Sequence, residues 1–160
     1  MGNFKRVRKN VRILQIGAGS RPLDGAINHD RVKHSEWIDV AYDLDVLPWV
    51  WEDESWDVVY ALDVFEHLNM DIVDWMREIR RILCYGGHAI VRLPAWDNPL
   101  SYRDPTHKKV FHHETLDYFD PNKELYNLFG QYYWDDVPTF QVEILEKENN
   151  DLKWKLTKKG

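Results

Sequence analysis

The feature that most constrains this chain is a strand–helix–strand run in its middle. Asp57-Val58-Val59-Tyr60-Ala61 and Ala89–Leu93 are short segments rich in β-forming apolar residues, the second stopped by Pro94. Between them Ile72, Met76, Ile79 and Leu83 recur at steps of four, three and four, which places them on one helix face. Asn69 or Asp71 can cap the start of that helix, and Gly86-Gly87 can end it in a left-handed turn. This spacing makes a βαβ crossover, so the two strands must run parallel.

Other short segments extend the sheet. Val11–Ile16 is a compact apolar run closed by Gly17, followed by candidate strands at Ala26–His29 and Ile38–Tyr42. A second, shorter helix is expected over His113–Phe119, ended by Asp120-Pro121. In the tail Phe140, Val142 and Ile144 alternate, as do Leu152, Trp154 and Leu156, with Glu148-Asn149-Asn150-Asp151 between them. That pattern predicts a β-hairpin at the end of the sheet. The expected architecture is α/β: a Rossmann-like, open, mostly parallel sheet with a C-terminal antiparallel hairpin. No repeat, low-complexity tract or linker divides the chain, so 1–160 reads as a single domain with a basic tail over 1–10.

Composition excludes several classes. No stretch approaches the run of about 18 apolar residues that spans a membrane. The basic start (Lys5, Arg6, Arg8, Lys9) has no apolar segment behind it, so it does not read as a secretory signal and a cytoplasmic location is expected. Cys84 is the only cysteine, which excludes an internal disulfide and a cysteine-cluster metal site. A net charge of −6 argues against a nucleic-acid surface. The lysines near the C-terminus (Lys153, Lys155, Lys158, Lys159) read as a solvated end. Most of the eight tryptophans are expected in the core or in a pocket wall.

Gly17-Ala18-Gly19 follows the first strand, at the sheet edge where open α/β folds bind ligands, and glycine there lets a ligand approach the backbone. A plain tight turn is the alternative. A dinucleotide fold requires a third glycine, a helix to receive the pyrophosphate, and an acid about 20 residues on. Here Arg21-Pro22 stands in the third-glycine region and Asp30 comes 13 residues after Gly17, with no room for a normal helix. No Lys-Ser/Thr pair makes a phosphate loop. A phosphate-free nucleoside suits the loop better than NAD. Asp30, ending the second strand, can accept from both ribose hydroxyls, and Asp43 from an exocyclic adenine amine. Each can equally be a solvated loop acid.

Five segments occur in a recognisable order: I-L-Q-I-G-A-G-S-R-P (13–22), D-L-D-V-L-P-W (43–49), S-W-D-V-V-Y-A-L-D-V-F-E-H-L (55–68), E-I-R-R-I-L-C-Y-G-G (78–87) and A-I-V-R-L-P (89–94). Over residues 11 to 120 the chain resembles the class I S-adenosylmethionine-dependent methyltransferases of the type 11 branch. The stretch 101–108 also resembles a loop of small members of that branch. The resemblance implies S-adenosyl-L-methionine as cofactor. Gly17, Ala18 and Gly19 would then lie against the methionine moiety, Asp30 on the ribose, and Asp43 with the Leu44 backbone on the adenine. Ala61, Leu62 and Asp63 would line the sulfonium end. The helices usual after the first two strands are missing, so this is a minimal version with a less covered cofactor.

Methyl transfer from a sulfonium needs proximity and alignment, and a base only where the acceptor must lose a proton. His67, beside Glu66, reads as structural. His107, His112 and His113, with Tyr102, Arg103 and Trp96, follow the fifth strand on the edge that faces an acceptor. His107, Tyr102 and Asp63 are the catalytic candidates. Adjacent His112 and His113 would point apart, which weakens a shared metal site, and no metal is expected. The acceptor is a small molecule or a peptide group, and a homodimer would cover the pocket. The rival readings are a non-catalytic cofactor-binding module, as a subunit of a larger assembly, and an NAD-dependent oxidoreductase.

Overall fold

The computed structural model describes residues 10–133, 135–146 and 150–160. Its seven strands are β1 (Ile13–Ile16), β2 (Ile27–Asp30), β3 (Val40–Ala41), β4 (Trp56–Leu62), β5 (Leu83–Pro94), β6 (Gln141–Glu146) and β7 (Asp151–Thr157). They form one sheet in the order β3-β2-β1-β4-β5-β7-β6. The first five neighbours pair in parallel, and β5 with β7 and β7 with β6 pair antiparallel. The parallel sheet and the hairpin at its end are as expected from the residue patterns. The basic tail up to Lys9 and the connection 147–149 lie outside the described residues.

Strand order reverses direction at β1: the chain walks outward to β2 and β3, then returns to place β4 on the other side. A crevice opens at such a switch point, beyond the carboxyl ends of the two central strands. Ile16 pairs with Ala61, so Gly17 leaves the sheet beside Leu62, the last residue of β4.

The crossover helix α1 (Ile72–Ile82) forms where its periodicity requires. Asp71 caps it by accepting from the Val73 N–H at 2.9 Å. Its inner face buries Trp75, Met76, Ile79 and Ile82 completely. Each such side chain contributes about 1.5–3 kcal/mol of burial. Trp75 stacks on Phe65 with ring centroids 4.0 Å apart, which joins α1 to the chain leaving β4. No helix fills 17–26 or 31–39, so the first two crossovers are loops, the first as the short spacing implied.

Three expectations fail here. Gly86-Gly87 does not end α1: the helix runs straight into β5 at Leu83, and both glycines lie within that strand. They form a bulge, since Trp56 pairs with Leu83 while Val58 pairs with His88. Gly86 takes φ +78°, and a Cβ on Gly87 would lie 2.9 Å from the Asp57 carbonyl oxygen. Lys158 is not part of a solvated end. It is buried, and its Nζ donates to the Leu83 carbonyl at 2.8 Å. The expected second helix is only a 3₁₀ stretch over Thr115–Phe119.

The loop from Tyr42 to Ser55 takes the place of a covering helix by inserting Leu44, Trp49 and Trp51 into the core. α1 holds it through polar contacts. Glu78 accepts from the Trp49 N–H at 2.7 Å, and Arg81 donates to the carbonyls of Trp49 and Trp51. Arg81 also pairs with Glu78 at 2.6 Å and Asp53 at 2.8 Å, and these partners raise its pKa further.

Candidate active site

A cavity of about 590 Å³ occupies the switch-point crevice. Gly17, Gly19, His29, Asp30, Asp43, Leu44, Asp63 and Val64 are among its walls, and His67, Thr106 and Lys108 close its far end.

The glycine loop is shaped by two positive φ angles, +66° at Gly17 and +53° at Gly19. At Gly17 the reason for glycine differs from the expected one. A Cβ there would stand 2.4 Å from Val64 Cγ2, so the residue makes room for the chain leaving β4 rather than for a ligand. At Gly19 nothing lies within 4 Å of that position, and this residue presents bare backbone to the cavity. Ala18 is buried, its N–H bonded to the His29 carbonyl at 2.8 Å.

His29 fixes this loop. Its buried ring donates from Nε2 to the Tyr42 carbonyl at 2.8 Å and accepts the Gly17 N–H at Nδ1 at 3.4 Å. Burial holds its pKa below the ordinary value, so the ring is the neutral tautomer those two bonds require.

Asp30 is the last residue of β2, which places it where a ribose-binding acid is expected. Partial burial pushes its pKa up, but the Gly19 and Arg31 N–H groups, at 2.7 and 2.6 Å, hold it below the usual carboxylate range. Asp43 follows β3, accepts from the Asp45 N–H, and faces Arg31 Nε at 3.5 Å. Asp45 accepts from Asn69 and Met70, pinning the chain that enters α1.

Asp63 leaves β4 with φ +60°, a conformation uncommon outside glycine and tolerated best by Asp and Asn. Its carboxylate pairs with Arg92. Ala61 sits wholly in the core, and neither it nor Leu62 lines the cavity with a side chain.

Next to this cavity lies a second, of about 240 Å³, walled by Asp63, Glu66, His67, Asp104, His107 and Asp151 together with Pro94 and Leu100. The His107 ring meets the His67 ring edge-on, centroids 4.7 Å apart. Glu66 is buried, its pKa pushed up to about 8, mainly by burial and further by the charges of Asp63 and Asp151. The segment 104–109 is tied down by Lys108 N–H to the Glu66 carbonyl at 2.6 Å and by Lys109 Nζ to the Leu68 carbonyl at 2.5 Å.

The loop from Trp96 to His113 therefore divides. Asp104, Thr106, His107 and Lys108 reach the two cavities, whereas Tyr102 is 67% exposed and walls neither. His112 and His113 do not point apart: in an irregular turn their ring centroids are 3.9 Å apart, with Glu114 3.4 Å from His112. His29, Val64 and Thr106 were not singled out from sequence. Thr106 and Val64 had a signal, their places in the 101–108 and 55–68 stretches.

The sequence profile of the methyltransferase domain family matches residues 24–91. Solved structures resemble this one over nearly its whole length. A Thermotoga maritima S-adenosylmethionine-dependent methyltransferase superposes with a TM-score of 0.62 at 19% identity, covering 96% of this chain and 84% of its own. The chain has the class I methyltransferase fold. The same fold appears in an Archaeoglobus fulgidus S-adenosylmethionine-dependent methyltransferase (TM-score 0.59, 18% identity, covering 92% of this chain and 86% of its own). A Haloferax volcanii methyltransferase, solved in complex with its Trm112 activator, gives a TM-score of 0.57 at 15% identity, with 97% and 85% covered. No curated protein sequence matches. Both the Thermotoga and the Archaeoglobus proteins are named S-adenosylmethionine-dependent, and the residues present here suit that cofactor. Two acids stand at the ends of β2 and β3, and the loop that would receive a pyrophosphate has no helix behind it.

Among the described residues no helix is long and apolar enough to cross a membrane.

Proposed function

We propose that this chain transfers a methyl group from S-adenosyl-L-methionine to a small molecule or a peptide group. The observation that carries the reading is the cavity at the strand-order switch point, with bare Gly19 backbone on one wall and carboxylates at Asp30, Asp43 and Asp63 around it. Gly17, Ala18 and Gly19 would lie against the methionine moiety. Asp30 would accept the ribose hydroxyls, and Asp43 with the Leu44 backbone would face the adenine. The backbone from Ala61 to Leu62, leading into Asp63, would border the sulfonium.

When bound, the cofactor supplies a methyl group already activated on a positively charged sulfur. The protein's work is then alignment and exclusion of water. Asp63, fixed by Arg92, lies on both cavities, so its carboxylate can favour the sulfonium charge and orient an acceptor nucleophile. His67 and His107 face the same place and are the groups positioned to hold the acceptor. Tyr102 has no part in this scheme.

The uncovered first two crossovers favour a second reading, a binding module that holds the cofactor without turnover. Incubation with methyl-labelled S-adenosylmethionine and fractionated metabolites or peptides separates the two. Label transferred to an acceptor supports the enzyme. Saturable S-adenosylhomocysteine binding with no transfer across the panel supports the module.

A further inference from the structure

The Glu66, His67 and His107 side chains meet where the two cavities join, and one donor atom from each lies within 4.8 Å of the others. We propose that they form a binding site for a divalent transition-metal cation of the zinc class. This deepens the reading above of how the two imidazoles face the acceptor, and it rests on that reading only for the acceptor.

Hydrogen bonding fixes which atoms are offered. Thr106 Oγ1 donates to Asp104 Oδ1 at 2.6 Å, so its proton is committed to that carboxylate. His67 Nδ1, 2.9 Å from the same hydroxyl, must therefore be the N–H that donates to it. His67 Nε2 is left unprotonated, and it faces Glu66 Oε1 at 3.9 Å. That separation is too long for a hydrogen bond. Ligands held at 2.0–2.2 Å around a tetrahedral zinc stand about 3.4 Å apart, so a small side-chain rotation closes the set.

A second, independent observation points to a ligand. Glu66 is 1% exposed and its Oε2 has no hydrogen-bond partner; the His107 side chain is 8% exposed and its Nδ1 has none either. Leaving two such atoms buried is costly unless something binds them. His107 Nε2 lies 3.7 Å from Asp104 Oδ2. Asp104 thus stands near both imidazoles, hydrogen-bonded through Thr106 to His67 and within reach of His107 after a small shift, and outer carboxylates of this kind orient metal-bound histidines. Asp63 and Asp151 add negative charge to the same cavity, against which Arg92 is the neighbouring cation. Two imidazoles and one carboxylate leave a coordination position open, the pattern of zinc sites that act on a substrate. The cavity side of the site can offer that position to an acceptor oxygen or sulfur.

Calorimetric titration of chelator-treated protein with zinc chloride should show one equivalent bound with a Kd in the micromolar range or tighter. Glu66→Gln and His107→Ala should each weaken it at least about tenfold, and Asp104→Asn about tenfold through lost orientation. His112→Ala is expected to bind as the parent does. Cobalt chloride added to the parent protein should give visible absorption bands of an ordered low-coordinate site, a readout that needs no variant to fold. Failure of the parent to take up zinc or develop the cobalt bands overturns the proposal. So does parental affinity in folded Glu66→Gln and His107→Ala, or loss of the site in His112→Ala. S-adenosylhomocysteine titrated into the metal-free parent reports separately on the methyltransferase reading, so either claim can fail alone.

Discussion

Replacing Gly17 by Ala should destabilise the protein through Val64, and the structure sets the size of the effect. At φ +66° an L-residue costs about 1–2 kcal/mol relative to glycine. The added Cβ would also stand 2.4 Å from Val64 Cγ2, far inside a carbon–carbon contact of about 3.5–4.0 Å. Forcing that overlap costs about another 1–3 kcal/mol as the two loops part. The total, about 2–5 kcal/mol, is a large share of the stability of a domain this size. Val64→Ala removes the Cγ2 atom, so the double variant should recover the overlap cost but not the backbone cost. Denaturant unfolding of the parent, the two single variants and the double variant measures this. The double variant should be at least about 1 kcal/mol more stable than the sum of the singles implies. Strict additivity would show that Gly17 and Val64 do not confine each other. A stable Gly17→Ala protein that has lost only S-adenosylhomocysteine affinity would restore the alternative, that the glycine makes room for the ligand.

Asp43→Ala should weaken S-adenosylhomocysteine by about 0.5–1.5 kcal/mol while the protein stays folded, as calorimetry can check; unchanged affinity would remove Asp43 from the adenine end. Arg81→Ala should cost about 2–4 kcal/mol in urea unfolding, because it leaves Glu78 half-paired and releases the Trp49 and Trp51 carbonyls; a cost within experimental error would show that the loop from Tyr42 is held by its tryptophans alone. For His29 the folded-state pKa lies below the unfolded value near 6.5, so the unfolded chain takes up the proton first as pH falls. Stability from this residue is therefore complete above pH 6.5 and is lost below it, at up to about 1.4 kcal/mol per pH unit. The slope of unfolding free energy between pH 6.5 and 5 should be shallower in His29→Gln, and equal slopes would refute the assignment.

What could be read from the residues alone follows their physical range. Apolar periodicity is local, so α1, the parallel pair β4 and β5, and the β6–β7 hairpin were legible. The short distance from Gly17 to Asp30 was enough to predict that the first crossover lacks a helix. Contacts between distant segments were not legible. Gly86-Gly87 looks like a helix stop, yet the bulge against Asp57 decides its conformation. Lys158 looks like a solvated end until the Leu83 carbonyl is beside it. His112 and His113 were expected to diverge because regular elements alternate side chains, and an irregular turn does not. Glu66 and His67 are neighbours in a 3₁₀ turn, and only the return of the chain at Thr106 and His107 shows what they face. Gly17, Gly19, Asp30, Asp43, Leu44 and Asp63 were thus foreseen beside the cavity, whereas Ala61 and Leu62 do not line it and the walls contributed by folding one loop onto another were not foreseen.

A crystal structure of the protein grown with S-adenosylhomocysteine tests the central claim most directly. The account predicts ribose hydroxyls within hydrogen-bond distance of the Asp30 carboxylate, the adenine beside Asp43 and Leu44, and the sulfur directed toward Asp63. A ligand lodged outside the cavity between Gly19 and Asp63, or density for none at saturating concentration, would contradict it.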